Sequence, residues 1–333
     1  MEFMTHIAIP QSEWKIGSSS KILLVGSCFA DEIGRKMERG GLNVMVNPFG
    51  TLYNPASIAA SLLRSISENE YTADSPELLR GLHDGLWHSW MHHSSFSSPS
   101  KETLLQAVNA TMHKVADFLR EADVLIVTLG TAIIYRLRDT GRLVANCHKM
   151  PDQMFVRELM SSYDIADQWQ MLLQLLGSIN PKLKVIFTVS PIRHKRDGYH
   201  ANQISKGTLL CAVEALSPSL RLSAKQKDEA GADKTSTDKD SSTQGMGEER
   251  GSNVPYYFPS YEIMMDELRD YRFYADDMIH PSEKAVEYIW QRFQDTYFDS
   301  KTRDTVAKAT KEWARRQHRP IAGTGSADWQ EVL

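Results

Sequence analysis

The chain has 333 residues, of which 41% are apolar and 24% charged, and its formal net charge is -4. That make-up excludes a wholly disordered chain, because enough apolar surface is present to bury a large core, and the charge gives no general attraction to nucleic acid or to an anionic membrane. The opening Met1-Glu-Phe-Met-Thr-His6 has no basic and then apolar leader, and no later run approaches about 18 uninterrupted apolar residues, so the chain reads as cytoplasmic. Three cysteines, Cys28, Cys147 and Cys211, form neither an even disulfide set nor a metal-type pair.

In chain order, Lys21-Ile-Leu-Leu-Val25 is a run of strand formers, and Phe29, Ile33 and Met37 then recur at helical spacing up to Arg39. Gly40-Gly41 ends that helix, and Leu42 to Val46 supplies a second strand before Asn47-Pro-Phe-Gly50. Asp123 to Leu129 and Leu183 to Val189 are further strands, each after a helical stretch, over 101–119 and 153–178. Strands apolar on both faces suit a parallel sheet covered by helices on both sides. Between them, Ala132 to Arg138, a turn at Asp139-Thr-Gly141, and Arg142 to Cys147 read as a β-hairpin. Residues 223–253 carry almost no large apolar side chains and read as a mobile surface insertion within a single domain spanning 1–300. The core resumes at Tyr256-Tyr-Phe-Pro-Ser-Tyr-Glu-Ile263, a helix follows from Ser282 to Phe298, and 301–333 is a charged helix and tail. No internal repeat is present.

Ser27 stands where the first strand ends and the first helix begins, the place where an open parallel sheet presents ligands. There the first N–H groups of the helix can stabilise an oxyanion. A helix-capping role alone is the competing reading. Val25 and Phe29 occupy positions where the Gly-x-Ser-x-Gly elbow carries glycine, which sets that family aside. Asp277-Met-Ile-His280-Pro281 is the second element. A serine nucleophile needs a base, and the base needs a carboxylate to hold its tautomer, which three-residue spacing on one loop supplies. Asp276 is the alternative carboxylate.

A serine after the first strand together with an Asp-x-x-His before the last helix resembles the layout of SGNH, or GDSL-like, hydrolases. Gly26-Ser-Cys-Phe-Ala30 further resembles the signature of the GSCFA family, which is regarded as related to them. Asn47-Pro-Phe-Gly-Thr51, Thr128-Leu-Gly-Thr131, Asn146-Cys-His-Lys149, Val189-Ser-Pro-Ile-Arg-His194 and Asp270-Tyr-Arg-Phe-Tyr274 resemble that family's other motifs, so the resemblance runs over 20–298. It implies an α/β fold of three layers, α/β/α, with a mostly parallel central sheet of flavodoxin-like topology. It also implies Ser27 as nucleophile, Asp277 and His280 as its partners, and an oxyanion hole from Ser27, Gly50 and the third-strand loop. That loop reads Gly130-Thr131 where SGNH enzymes carry an asparagine, so Thr131 stands in for the missing amide.

Leu86 to Phe96 gathers His88, His92 and His93 among aromatic residues. A metal site on a helix would use His88 and His92, but carboxylates are scarce and the serine-rich text argues for a loop or strand, so no metal is expected. His92, His93, His148, Arg193 and His194 are candidates for substrate contact, with plain packing as the alternative. Cys28, about 100° around the helix from Ser27, is expected to pack behind the turn. The expected activity is a cofactor-free serine esterase acting on a small-molecule or carbohydrate ester. A ligand-binding protein on a hydrolase scaffold and an acyltransferase with the same triad are the rivals.

Overall fold

Alternate residues of the first strand set the layering. In β1 (Lys21–Gly26), Ile22 and Leu24 join one buried cluster while Leu23 and Val25 join another on the opposite face. The same alternation holds in β5 (Val124–Leu129) and β9 (Lys184–Val189), where Ile126 and Ile186 lie on one side and Leu125, Val127, Phe187 and Val189 on the other. Such strands must be covered twice. The computed structural model describes residues 4–217 and 254–317, and the stretches 223–253 and 318–333 discussed above lie outside these.

Five strands form the central sheet in the order β10 (Tyr256–Phe258), β9, β5, β1, β2 (Asn43–Val46), all parallel. One face is covered by α1 (Cys28–Arg39) and α6 (Glu283–Tyr297), through Phe29, Ile33 and Met37 against Ile289, Trp290 and Phe293. The charged helix α7 (Ser300–Gln317) adds Val306 to that cluster. Ile58 and Leu62 of α2 (Pro55–Ile66), Val115 and Leu119 of α3 (Lys101–Glu121), Trp169 of α4 (Ser162–Ile179) and Val213 of α5 (Tyr199–Leu216) cover the other. The fold is a three-layer α/β/α arrangement. The order in which strands are added reverses between β1 and β5, which makes the carboxyl ends of these two strands the switch point where such sheets bind ligands.

Two small elaborations rise from the sheet. β3 (Leu78–Arg80) and β4 (Trp87–Ser89) form an antiparallel pair. β6 (Ile133–Leu137) pairs with β7 (Leu143–Val144), the expected hairpin, and on its other edge with β8 (Phe155–Leu159). The helix expected over 153–178 therefore starts only at Ser162. Residues 155–159 find a free strand edge on β6, and Ser161 caps the helix by accepting the Asp164 N–H at 3.0 Å. Because β4 and a short 3-10 turn at Ser94–Phe96 occupy the histidine-rich segment, His88 and His92 do not share a helix.

Gly26 holds the switch point closed. Its φ of +138° suits glycine, and a Cβ there would lie 2.1 Å from the Thr128 carbonyl oxygen. Leu52 N–H reaches the Gly26 carbonyl at 3.0 Å, and the Gly26 N–H donates to Asn47 Oδ1 at 2.8 Å. Gly26→Ala must both strain the backbone and push β1 from β5. We expect it to lower the unfolding free energy by about 3 kcal/mol, read by urea denaturation.

Candidate active site

Ser27 is the N-cap of α1 and only 1% exposed. Its N–H donates to the Thr128 carbonyl at 3.0 Å, and its hydroxyl oxygen accepts the Phe29 N–H at 3.3 Å. The turn is tied to the loop after β2 by side chains: Asn47 Nδ2 donates to Asp31 Oδ1 at 2.7 Å, and Thr51 Oγ1 to Asp31 Oδ2 at 3.3 Å. Asn47 itself takes a φ of +40°, a conformation that asparagine tolerates better than most residues.

Asp277 and His280 lie on the loop that leads into α6. Asp277 Oδ1 accepts the N–H groups of Ile279 and His280, both at 2.9 Å, while Oδ2 meets His280 Nδ1 at 2.5 Å. Asp277, and not Asp276, is thus the carboxylate on the imidazole. Hydrogen bonds from the His280 backbone and ring, then from Ile279, pull its carboxyl down to about 2, so it is ionised at neutral pH. With Nδ1 engaged, Nε2 of His280 is left to face the start of α1. The atom it approaches there is Cys28 Sγ, at 3.9 Å, and no hydrogen bond joins it to the Ser27 hydroxyl. Cys28 does not pack behind the turn: it lines, with His280, a groove of about 690 Å³ between α1 and α6. Burial, then Asp31, raises its thiol pKa, which keeps it protonated.

The backbone donors expected to form the oxyanion hole are already engaged. Ser27 N–H holds Thr128, and Gly50 N–H donates to the Asn47 carbonyl at 2.7 Å. Gly130 and Thr131 N–H both reach the Tyr53 carbonyl, at 2.7 and 3.0 Å. The Thr131 hydroxyl is turned inward, 2.9 Å from Ser205 Oγ, and accepts the Ile133 N–H at 3.1 Å. Short loops close on themselves here, and the peptide groups are used to fold them. Within α1, the Cys28 N–H at the first helical position is the donor left over by helix geometry.

The histidines separate by environment. His92 is 2% exposed, its Nδ1 bonded to the Ser89 hydroxyl at 2.8 Å and its ring enclosed by Phe49, Tyr71 and Phe96. His148 is also buried, bonding the Ser89 carbonyl through Nε2 at 2.7 Å and stacking on His88 at 4.5 Å. Burial holds the two imidazole pKa values down, to about 3 and about 4. Both are enclosed by the fold, as the packing alternative to substrate contact has it. His93 caps the 3-10 turn and packs on Gly50, where a Cβ would lie 2.1 Å from its own. Arg193 reaches back to the loop that carries Asp277 and His280, its guanidinium 5.5 Å from the Tyr274 ring and 3.4 Å from its hydroxyl. Of the expected contact residues, His194 is the one brought against Ser27, with Gly130 between them.

The profile of the GSCFA family matches residues 21–230 and 242–293. The chain belongs to the GSCFA family. No curated protein matches it. Among solved structures, it is similar to an acetyl xylan esterase (Est2A) from the rumen bacterium Butyrivibrio proteoclasticus, at a TM-score of 0.34 and 10% identity. That similarity covers 84% of this chain and 64% of the other, so this chain spans less than two thirds of that protein.

This GSCFA chain carries a site residue that its sequence hides. Lys206, on α5, is 1% exposed, and its ammonium donates to the carbonyls of Gly130 at 2.7 Å and Ser190 at 2.6 Å. It thereby ties the loop after β5 to the loop after β9. Neighbouring Ser205 Oγ accepts the Ala132 N–H at 2.7 Å and fastens the same turn. In an amphipathic helix a lysine reads as solvent-facing, so nothing in the local text distinguishes it. Among the described residues no group of three or more His, Cys, Asp or Glu side chains could hold a metal ion, and no helix is long and apolar enough to cross a membrane.

Burial lowers the Lys206 pKa to about 7. A lysine less basic in the folded state than in the unfolded one, near 10.4, contributes stability that grows as pH rises between those values. Relative to Lys206→Met, the native protein should therefore gain ~2 kcal/mol of unfolding free energy from pH 7 to pH 9. Urea titrations of both proteins at the two pH values measure it.

Proposed function

We propose that this protein is a serine-dependent ester hydrolase that removes a small acyl group from a hydroxyl-rich, carbohydrate-like alcohol. The observation that carries the reading is the Asp277–His280 pair, whose carboxylate holds Nδ1 at 2.5 Å and leaves Nε2 directed at the start of α1, where Ser27 stands. In the proposed reaction Ser27 Oγ attacks the acyl carbonyl carbon while His280 Nε2 takes the hydroxyl proton. The tetrahedral intermediate then collapses, the C–O bond to the alcohol breaks, and His280 returns its proton to the departing oxygen. Water, activated by the same imidazole, attacks the acyl-enzyme and releases the acid and Ser27. Asp277 stays ionised throughout and stabilises the imidazolium. To enter this cycle Ser27 exchanges its long 3.3 Å contact with the Phe29 N–H for a hydrogen bond to His280 Nε2.

The groove beside His280 supports this substrate class. Glu32, Arg35, Arg39, Glu283, Lys284 and Gln291 line it, long side chains rich in donors and acceptors. Such a lining suits hydroxyl groups and disfavours an extended acyl chain, which would desolvate charges without replacing their hydrogen bonds.

A binding protein on the same scaffold is the second reading, favoured by the burial of Ser27 and by its hydroxyl serving the helix cap. Turnover of p-nitrophenyl acetate by the full chain separates the two. We expect activity that falls by about 10³-fold or more in Ser27→Ala and His280→Ala, and by about 10²-fold or more in Asp277→Asn, with a fluorophosphonate probe labelling Ser27. Cys28→Ser should leave the rate within about threefold. Turnover indifferent to Ser27 and His280, or a silent probe, would refute the hydrolase reading.

A further inference from the structure

Within the proposed hydrolase, on which this inference rests, the engaged loop donors leave a developing oxyanion short of partners. The N–H groups of Ser27, Gly50, Gly130 and Thr131 are all bonded inside the fold, and Gly130-Thr131 carries no side-chain amide. The Cys28 N–H alone would be a half-built site, and loss of one such donor typically slows acyl transfer by about 10²–10³-fold.

His194 carries a group of the missing kind. Its Nε2 is sealed from solvent and has no hydrogen-bond partner. Leaving a buried polar nitrogen unpaired costs about 1–3 kcal/mol, so this one, beside the proposed nucleophile, calls for an explanation. The atom is also in the right place. A Cβ on Gly130 would stand 3.1 Å from His194 Nε2 and 3.4 Å from Ser27 Cβ, so the imidazole and the serine converge on the one bare α-carbon of that loop. The residue is held there by its neighbours: the backbone N–H of His194 donates to Asn202 Oδ1 at 3.0 Å, and Tyr53 meets the ring edge-on at 5.4 Å. The same Tyr53 offers its carbonyl to Gly130 and Thr131.

We infer that His194 donates an Nε2–H hydrogen bond to the oxyanion formed when Ser27 attacks its ester, replacing the side-chain amide that the loop after β5 lacks. The ring is suited to that task because it stays neutral. Burial first, then Lys206 and His280, pull its pKa down to about 4, so near pH 7 it is an uncharged imidazole with one N–H. A neutral donor steadies the oxyanion without giving up its proton, which leaves proton transfer to His280. With the Cys28 N–H approaching from the helix, the oxyanion then has two donors from two different elements.

The test uses the full chain with p-nitrophenyl acetate, and a boronic acid that forms a tetrahedral adduct on Ser27. In His194→Ala, kcat should fall by about 10²-fold with KM within about threefold, and boronate affinity should weaken by a similar factor. His194→Gln, which restores an N–H donor, should recover at least about tenfold of that loss. Gly130→Ala places a methyl between Ser27 and Nε2, 3.0 Å from the Tyr53 carbonyl oxygen, and should lower kcat and boronate affinity. Ser27-dependent turnover that survives His194→Ala within about threefold would overturn the donor role and leave the hydrolase reading standing. So would a fall in kcat with unchanged boronate affinity, since that marks a structural defect. Absence of any Ser27-dependent turnover or adduct in the native chain would overturn both.

Discussion

The close approach of β1 to β5 at Gly26 is the constraint on which the site depends. Four peptide groups meet at this point: Thr128 presents its carbonyl to Ser27, Leu52 donates to Gly26, and Gly26 donates to Asn47. A side chain on Gly26 would stand in the middle of them. Because the strand ends there with its last peptide already bonded across the sheet, α1 must begin at Ser27, and the direction of the serine is decided by the strand before it. The loop after β2 is drawn in by the same contacts, so the floor of the site is made by backbone and has little freedom to shift.

Above that floor the charges are sorted by depth. Lys206 is sealed beneath the Gly130 loop, its cost of burial offset by two carbonyl acceptors in place of a carboxylate. The nearby His194 is kept neutral, and the ionised Asp277 sits at the rim with His280, each about half exposed. When Lys206 is protonated, a cation lies below and an anion at the mouth. In the proposed reaction that arrangement would favour negative charge developing at a substrate oxygen deep in the site and positive charge developing on His280 near the surface.

What could be read from the chain was whatever is local. The strands at 21, 123 and 183 were legible because both faces are apolar, and the Asp277–His280 pair because three residues of spacing already bring the two side chains together. Ser27 was legible by its place between strand and helix. The oxyanion donors were not, since whether Gly50 or Thr131 has a free N–H depends on Asn47 and Tyr53, contacts made only when the loops close. β8 was hidden because the β6 edge that recruits it lies about twenty residues upstream. His92 and His194 are the same residue type, one enclosed by rings and bonded, the other enclosed and left unpaired. Only packing separates them, as only packing separates Lys206 from any other helical lysine.

The turn that carries His280 is bound chiefly to itself. Asp277 grips the imidazole with one oxygen and the two following peptides with the other, while Met278 takes a φ of +59° to let the chain double back. The Ala275 N–H bonds the His280 carbonyl, the Met278 N–H the Ala275 carbonyl and the Ser282 N–H the Phe273 carbonyl, Tyr274 bridges to Pro281, and Ile279 packs on the cluster around Phe29. Carboxylate and imidazole therefore travel as one piece. Wherever Nε2 points, the pair behind it is the same, so the tautomer that the proposed reaction needs is set within the turn and does not depend on what the ring faces.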